Sequence, residues 1–180
     1  MATSHVLIAI GSNLGDRCAY ISGAVAALAQ HGVVTAQAPI LETLPFGAKA
    51  EGLFLNTAVT FATALEPEAM MRALAAIETA AGRVRTVKWG NRTLDLDIIL
   101  WLDATGQSLA ITTETVIVPH PECLDRDFVL EPASAIAAEW RHPLTGRTLV
   151  EEFMRLRIKK GSRVAPIVPH RQHGAAWSDR

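Results

Sequence analysis

Hydrophobic positions along the chain fall into two periodicities, and these alternate. Val6-Leu7-Ile8-Ala9-Ile10 is an unbroken apolar run, which predicts a short strand buried on both faces. Ile21, Val25 and Leu28, with Ala24 beside them, then recur at helical spacing, and Gly32 reads as the stop after that helix. Residues 33–44 predict a second strand, weakened or bulged at Pro39. From Leu53 to Thr63 the pattern alternates: Leu55, Thr57, Val59 and Phe61 share one face, and Phe54, Asn56 and Ala58 share the other. A second helix is predicted from Pro67, which suits a first turn, with Glu66 and Glu68 at its positive end. Met70, Leu74, Ile77 and Ala81 mark its apolar face, and Gly82 ends it. Leu94, Leu96 and Ile98 alternate again, with Asp95 and Asp97 on the opposite face of that strand.

The order strand–helix–strand–strand–helix–strand predicts an α+β chain with a ferredoxin-like βαββαβ core, an antiparallel sheet with both helices on one side. The chain beyond Leu100 reads as C-terminal additions to that core. Asp103-Ala104-Thr105-Gly106 is a turn, and Thr115-Val116-Ile117-Val118 is a short strand running into Pro119-His120-Pro121. A helical stretch starts at Asp125 and continues through Ala138, and a turn from His142 to Leu149 leads to a last element reaching Phe153. One domain over residues 1–156 is expected. Residues 157–180 form a basic tail containing Pro and Gly without apolar periodicity, and are expected to be flexible; His170 and His173 within it read as surface residues.

Composition narrows the function class. The 180 residues are 49% hydrophobic with a net charge of −1, so no global field points to nucleic acid or an acidic membrane. Cys18 and Cys123 are too few for a disulfide framework and read as reduced thiols. The segment Met1–His5 lacks the basic-then-apolar pattern of a secretion signal, and no apolar run approaches membrane-spanning length. A cytoplasmic, monomeric protein acting on small molecules is expected.

The chemistry concentrates between Lys88 and Ile99. Asp95 and Asp97 cannot be ordinary core, because buried carboxylates require compensating cations. With Cα atoms roughly 6.5–7 Å apart, they are close enough to grip one or two Mg²⁺ ions. Arg83, Arg85, Lys88 and Arg92 precede them in a stretch from Thr79 to Leu94 that holds no acidic residue. Both signs together suit a magnesium–polyphosphate ligand better than either alone. Phe54 beside Asn56 offers a ring to stack and an amide to read the edge of a flat heterocycle, although an aromatic at a strand start and a turn-proximal Asn are the simpler reading in isolation. Gly11-Ser12-Asn13-Leu14-Gly15 fits neither common phosphate-loop pattern and alone reads as a tight turn. An isolated histidine such as His120 is ordinarily structural, but the flanking prolines hold this one on a stiff segment. Asp-x-Asp by itself also suits a nucleotidyl- or glycosyltransferase, and a ferredoxin-like fold alone also suits an RNA-binding module.

Taken together, the motifs resemble the 6-hydroxymethyl-7,8-dihydropterin pyrophosphokinase family of folate synthesis. Gly11-Ser12-Asn13-Leu14-Gly15-Asp16-Arg17, Thr43-Leu44-Pro45-Phe46-Gly47, Phe54-Leu55-Asn56 and Gly82-Arg83-Val84-Arg85 carry the resemblance. So do Trp89-Gly90, Arg92-Thr93-Leu94-Asp95-Leu96-Asp97, Val118-Pro119-His120-Pro121 and Arg126-Asp127-Phe128. The specific core is Arg-x-x-Asp-Leu-Asp followed about 20 residues later by Val-Pro-His-Pro. The resemblance spans roughly residues 5–153.

The resemblance implies transfer of pyrophosphate from ATP to the pterin's hydroxymethyl oxygen, with release of AMP. Asp95 and Asp97 would hold two Mg²⁺ ions, and Arg83 and Arg92 would neutralise the phosphates. The pterin would stack between Phe54 and Phe128, meet Asn56 at its edge, and lie against Thr43, Leu44 and Phe46, with Trp89 helping to close the site. Arg85, Arg92, Ile98, His120, Pro121 and Arg126 would bind ATP, with Glu78 supporting the nucleotide side. The chain departs from the family pattern at Asn91, where Pro or a small residue is usual, at Ala75, in the 48–52 loop, and in the short segment between Arg85 and Trp89.

Overall fold

A computed structural model describes residues 2–46, 51–83, 90–160 and 168–169. The apolar run at the N-terminus becomes β1 (Ser4–Ser12), the middle of a sheet whose strand pairings are antiparallel. It pairs with β4 (Phe54–Thr63) on one side and β5 (Asp95–Leu102) on the other. A strand with neighbours on both edges and cores on both faces needs no polar positions, so its hydrophobicity is unbroken. Between β1 and β4 lie α1 (Arg17–Leu28), β2 (Val33–Gln37) and β3 (Leu41–Thr43). The Asp16 carboxylate caps α1 by accepting from Ala19 N at 3.0 Å.

The strand expected over 33–44 is two strands. Both β2 and β3 pair with β4, and the chain breaks between them around Pro39, which has no N–H to donate. Gly32 is not a helix stop. α1 ends at Leu28, and a Cβ at Gly32 would stand 2.2 Å from Ala62 O and 2.7 Å from the Phe61 ring. The glycine is there because the entrance to β2 crosses β4 at closest approach. Gly82 does end its helix: α2 (Pro67–Ala80) stops just before it, and it sits at φ +73°.

The sheet order β5-β1-β4-β3, with β2 also on β4, is the ferredoxin-like arrangement. Helices α1 and α2 cover one face, where Ile21, Leu28, Met70 and Leu74 pack on Val6, Ile8, Val59, Phe61, Leu96 and Ile98. The additions cover the other face. After a two-strand pair, β6 (Ile111–Thr112) and β7 (Ile117–Val118), and a 3₁₀ turn (Cys123–Asp125) come α3 (Asp127–Ile136) and α4 (Leu149–Lys160). Their Val129, Leu130, Ala133, Phe153 and Leu156 pack on Leu7, Ala58, Ile99 and Leu100. A bulge opposite Leu7 and Ile8 puts both Ile99 and Leu100 into this second core and returns Trp101 to the first.

The expected tail lies mostly outside the described residues, as do His170 and His173. α4 runs on to Lys160, and β8 (Val168–Pro169) adds a short antiparallel strand to β3. Among the described residues no helix is long and apolar enough to cross a membrane.

Candidate active site

The second face of the sheet is only partly covered. Beyond the first turn of α3, the ends of β1, β4 and β5 are left open as a cleft. Its floor is Ala9 and Gly11 of β1, Asn56 of β4, and Asp95 and Asp97 of β5; its walls are Thr43, Leu44, Phe46, Phe54, Arg92, Arg126 and Phe128. Strand alternation produces this floor. Leu94, Leu96 and Ile98 point into the α1/α2 core, so Asp95 and Asp97 must face the other way. The same parity puts Leu55 and Val59 in the core and Asn56 in the cleft.

Each aspartate has its own cations. Asp95 is bracketed by Arg83 Nη1, 2.7 Å from Oδ1, and Arg92 Nη1, 2.5 Å from Oδ2. Asp97 Oδ2 has Arg126 Nη1 at 3.5 Å and His120 Nε2 at 3.8 Å. Desolvation first, and repulsion from Asp95 second, raise the Asp97 carboxyl above the usual carboxylate range despite those cations. The Asp97 side chain is still 32% accessible, so the desolvation reflects protein crowded around an open cleft, not occlusion. Burial lowers the His120 imidazole, and Asp97 only partly opposes this. His120 Nδ1 accepts from Glu122 N at 3.1 Å, which leaves Nε2 to carry the proton toward Asp97. The segment carrying His120 is pinned to the outer edge of β5 through His120 N donating to Ile99 O at 3.1 Å.

The apolar half of the cleft is equally specific. Asn56 is buried and donates from Nδ2 to Thr43 Oγ1 at 2.8 Å, which fixes its amide plane. A Cβ on Gly11 would sit 2.9 Å from Asn56 Oδ1, so the strand beneath that amide has to be bare. Phe46 tilts against Phe128 with centroids 5.8 Å apart, and the Arg126 guanidinium lies 5.9 Å from the Phe128 centroid. Arg126 also pairs with Glu122, while its buried Nε has no hydrogen-bond partner among the described residues.

The structure therefore brings together Thr43, Leu44, Phe46, Phe54, Asn56, Arg92, Asp95, Asp97, Arg126 and Phe128 in one cleft, with Arg83 and His120 ion-paired to its aspartates. Pro121 follows His120 at an exposed position. Two expected nucleotide residues sit differently from the rest. The Ile98 side chain is in the α1/α2 core, so only its main chain can meet a nucleotide. Glu78 is buried and holds Leu96 N at 2.8 Å and the Arg83 guanidinium. Arg85 and Trp89 lie outside the described residues.

Residue patterns carry no sign of several supporting groups. Arg17 Nη1 donates to Leu53 O at 2.8 Å and pairs with Glu42 at 3.0 Å, tying α1 to the entrance of β4. Lys160 Nζ lies 3.2 Å from Asp127 Oδ2 and 5.9 Å from the Phe46 centroid, so the end of α4 reaches the cleft wall. The shrinking series Leu7, Ala9, Gly11 along one face of β1 is a readable sign that something occupies that face.

Chemically the cleft joins two environments: paired carboxylates inside a set of cations, and a slot lined by aromatics with one fixed amide. The family model described as 7,8-dihydro-6-hydroxymethylpterin-pyrophosphokinase (HPPK) matches residues 7–138. The chain is 41% identical over 151 residues to the 2-amino-4-hydroxy-6-hydroxymethyldihydropteridine pyrophosphokinase of Bacillus subtilis (strain 168), covering 83% of this chain and 87% of that protein. It is 34% identical over 155 residues to the enzyme of the same name from Methylorubrum extorquens, covering 85% and 94%. Among solved structures, wild-type Plasmodium falciparum HPPK-DHPS with pterin and p-hydroxybenzoate aligns with a TM-score of 0.66 at 13% identity over 88% of this chain. The chain spans 44% of that solved protein, and the likeness is one of fold.

Proposed function

The chain belongs to the 7,8-dihydro-6-hydroxymethylpterin-pyrophosphokinase family, and from that premise we propose the chemistry of its cleft. As a member it is a diphosphotransferase acting on a dihydropterin in folate synthesis, with ATP as co-substrate. In the proposed reaction the hydroxymethyl oxygen of 6-hydroxymethyl-7,8-dihydropterin bonds to the β-phosphorus of ATP. The bond from that phosphorus to the α-phosphate bridging oxygen breaks, AMP leaves with the electron pair, and the hydroxyl proton passes to water in the open cleft. The observation that carries this reading is that Asp95 and Asp97 stand between the cationic side of the cleft and the Asn56 slot.

In that slot Phe54 and Phe128 flank the ring, Asn56 meets its edge, and Thr43, Leu44 and Phe46 form the wall. Arg83, Arg92 and Arg126, with neutral His120, hold the polyphosphate and absorb charge as it moves. No strong base is needed, because phosphoryl transfer depends mainly on positioning and electrostatics. The residues present fit Mg²⁺: Asp95 and Asp97 supply hard oxygen donors from one face of β5, side by side in the cleft. His120 Nε2 stands 3.8 Å from Asp97, but among the described residues no three His, Cys, Asp or Glu are placed to hold one ion together, so an ion here would take its remaining ligands from phosphate and water. Bound there, two Mg²⁺ ions would offset the polyphosphate charge. The chain is proposed to act as a monomer.

The test is a product assay. Purified protein given ATP, Mg²⁺ and 6-hydroxymethyl-7,8-dihydropterin should release AMP in step with pterin diphosphate, resolved by ion-exchange chromatography. ADP as the nucleotide product, or no pterin-dependent turnover, would overturn the reading.

A second result is expected from Gly11→Ala. The added methyl would displace the Asn56 amide, which Thr43 otherwise holds. Pterin KM should rise about tenfold, the scale of one lost net hydrogen bond, with ATP KM unchanged. Equal changes in both constants would place Asn56 outside the pterin slot.

A further inference from the structure

Three loops meet at one side-chain oxygen beside the cleft. Asn91 Oδ1 accepts from Asn13 Nδ2 at 2.9 Å and from Glu51 N at 2.9 Å. Asn13 Nδ2 also reaches Glu51 O at 3.1 Å, and Asn13 Oδ1 accepts from Arg92 N at 2.8 Å. Asn13 N closes the ring by donating to Arg92 O at 3.1 Å. These bonds join the turn after β1, the loop entering β4, and the segment carrying Arg92. The first is fixed to the sheet, the second leads to Phe54 and Asn56, and the third places a guanidinium on Asp95.

We propose that Asn91 is a positioning residue that latches the loop entering the pterin slot to the segment bearing Arg92. The inference rests on the proposed function of the cleft. Asn91 touches neither substrate site; it acts through Glu51 on one side and Asn13 on the other. The bonds divide the labour unequally. Asn13 holds the main chain of Arg92 at both N and O, so the arginine segment keeps its place without Asn91. The Glu51 amide has Asn91 Oδ1 as its acceptor, so the pterin-side loop loses that bond and keeps Asn13 Nδ2 on Glu51 O and Arg17 Nη1 on Leu53 O. Removing the Asn91 amide therefore loosens the pterin side and leaves the phosphate side anchored.

Asn91 serves only as an acceptor in these bonds, and this gives a selective test. Asn91→Asp keeps an oxygen that can accept from both donors; Asn91→Ala keeps none. For Asn91→Ala we expect pterin KM to rise roughly fivefold to tenfold, the loss of about one net hydrogen bond. ATP KM should stay within about twofold, since the Arg92 main chain keeps its bonds. Asn91→Asp should restore most of the pterin KM. Hydrogen–deuterium exchange gives a readout independent of turnover: the Glu51 amide should exchange faster in Asn91→Ala and near the parent rate in Asn91→Asp. Unchanged Glu51 exchange in Asn91→Ala, or equal rises in both KM values, would overturn the latch. Faster exchange at Glu51 in a chain that releases no AMP in any form would confirm the latch and overturn the reaction assigned to the cleft.

Discussion

Asp97→Asn is expected to stop turnover and leave the chain folded, with a melting temperature equal to or above the parent's. The loss should be on the order of 10²–10³-fold in kcat, the range for removing one preorganised electrostatic group. The stability half of the prediction follows from the raised Asp97 carboxyl, whose causes are burial and then Asp95. A carboxyl that titrates higher folded than unfolded gives stability that is fully present below its ordinary pKa. That stability is lost as pH rises through the raised value. At neutral pH the folded chain therefore bears a cost for ionised Asp97, and Asp97→Asn removes it. The gap in melting temperature between the two proteins should widen as pH rises from the ordinary carboxylate range through the raised one. Circular dichroism melts from pH 4 to pH 8, beside the AMP assay, check both halves. A variant that unfolds would make Asp97 a structural carboxylate held by Arg126 and His120. A variant that keeps its turnover would remove it from the reaction.

This pairing of lost activity with kept stability is what a site maintained for chemistry should show. The two aspartates are legible in the sequence because β5 has a strict period. Once Leu94, Leu96 and Ile98 are core, Asp95 and Asp97 have one face left to occupy. The same reasoning separates Leu55 and Val59 from Asn56 on β4. Phe128 is reached only through resemblance, because a single aromatic near a helix start carries no period.

Features set by tertiary contact are out of reach of such patterns. A glycine after a helix looks alike whether it caps the helix or sits where a Cβ would stand 2.2 Å from a carbonyl oxygen, and Gly32 is the second kind. Strand β6 is two residues long, too short to alternate, so nothing in its residues announces the pairing with β7. The Asn13–Asn91 bond joins positions 78 apart through side chains, and no local pattern encodes it. Lys160 reaches Phe46 only because α4 packs on α3. Long-range polar contacts built the support of the site, and apolar periodicity built its floor.

The buried side of that floor yields the second large effect. β5 is an edge of the sheet, and its Leu96 N–H is taken up by Glu78 of α2 at 2.8 Å instead of by another strand. The same Glu78 oxygen pairs with Arg83, which in turn holds Asp95 at 2.7 Å. Glu78 is 4% exposed, so water cannot replace it. Glu78→Ala should cost about 3–5 kcal/mol, the range for breaking a buried ion pair by removing one partner. In a chain of this size that corresponds to a fall in melting temperature of roughly 6–15 °C. Glu78→Gln keeps an acceptor for Leu96 N and removes the charge that faces Arg83. It should cost about 1–2 kcal/mol in stability and lower kcat through a looser Arg83. Its pterin KM should not change, because Glu78 acts through Leu96 N and Arg83 and does not line the Asn56 slot among the described residues. Thermal melts of both variants, with kcat and the two KM values for Glu78→Gln, separate the roles. If Glu78→Ala melts with the parent, the edge of β5 is held by other groups. If Glu78→Gln keeps full kcat, Arg83 is positioned by Asp95 alone, and α2 supports the fold without tuning the reaction.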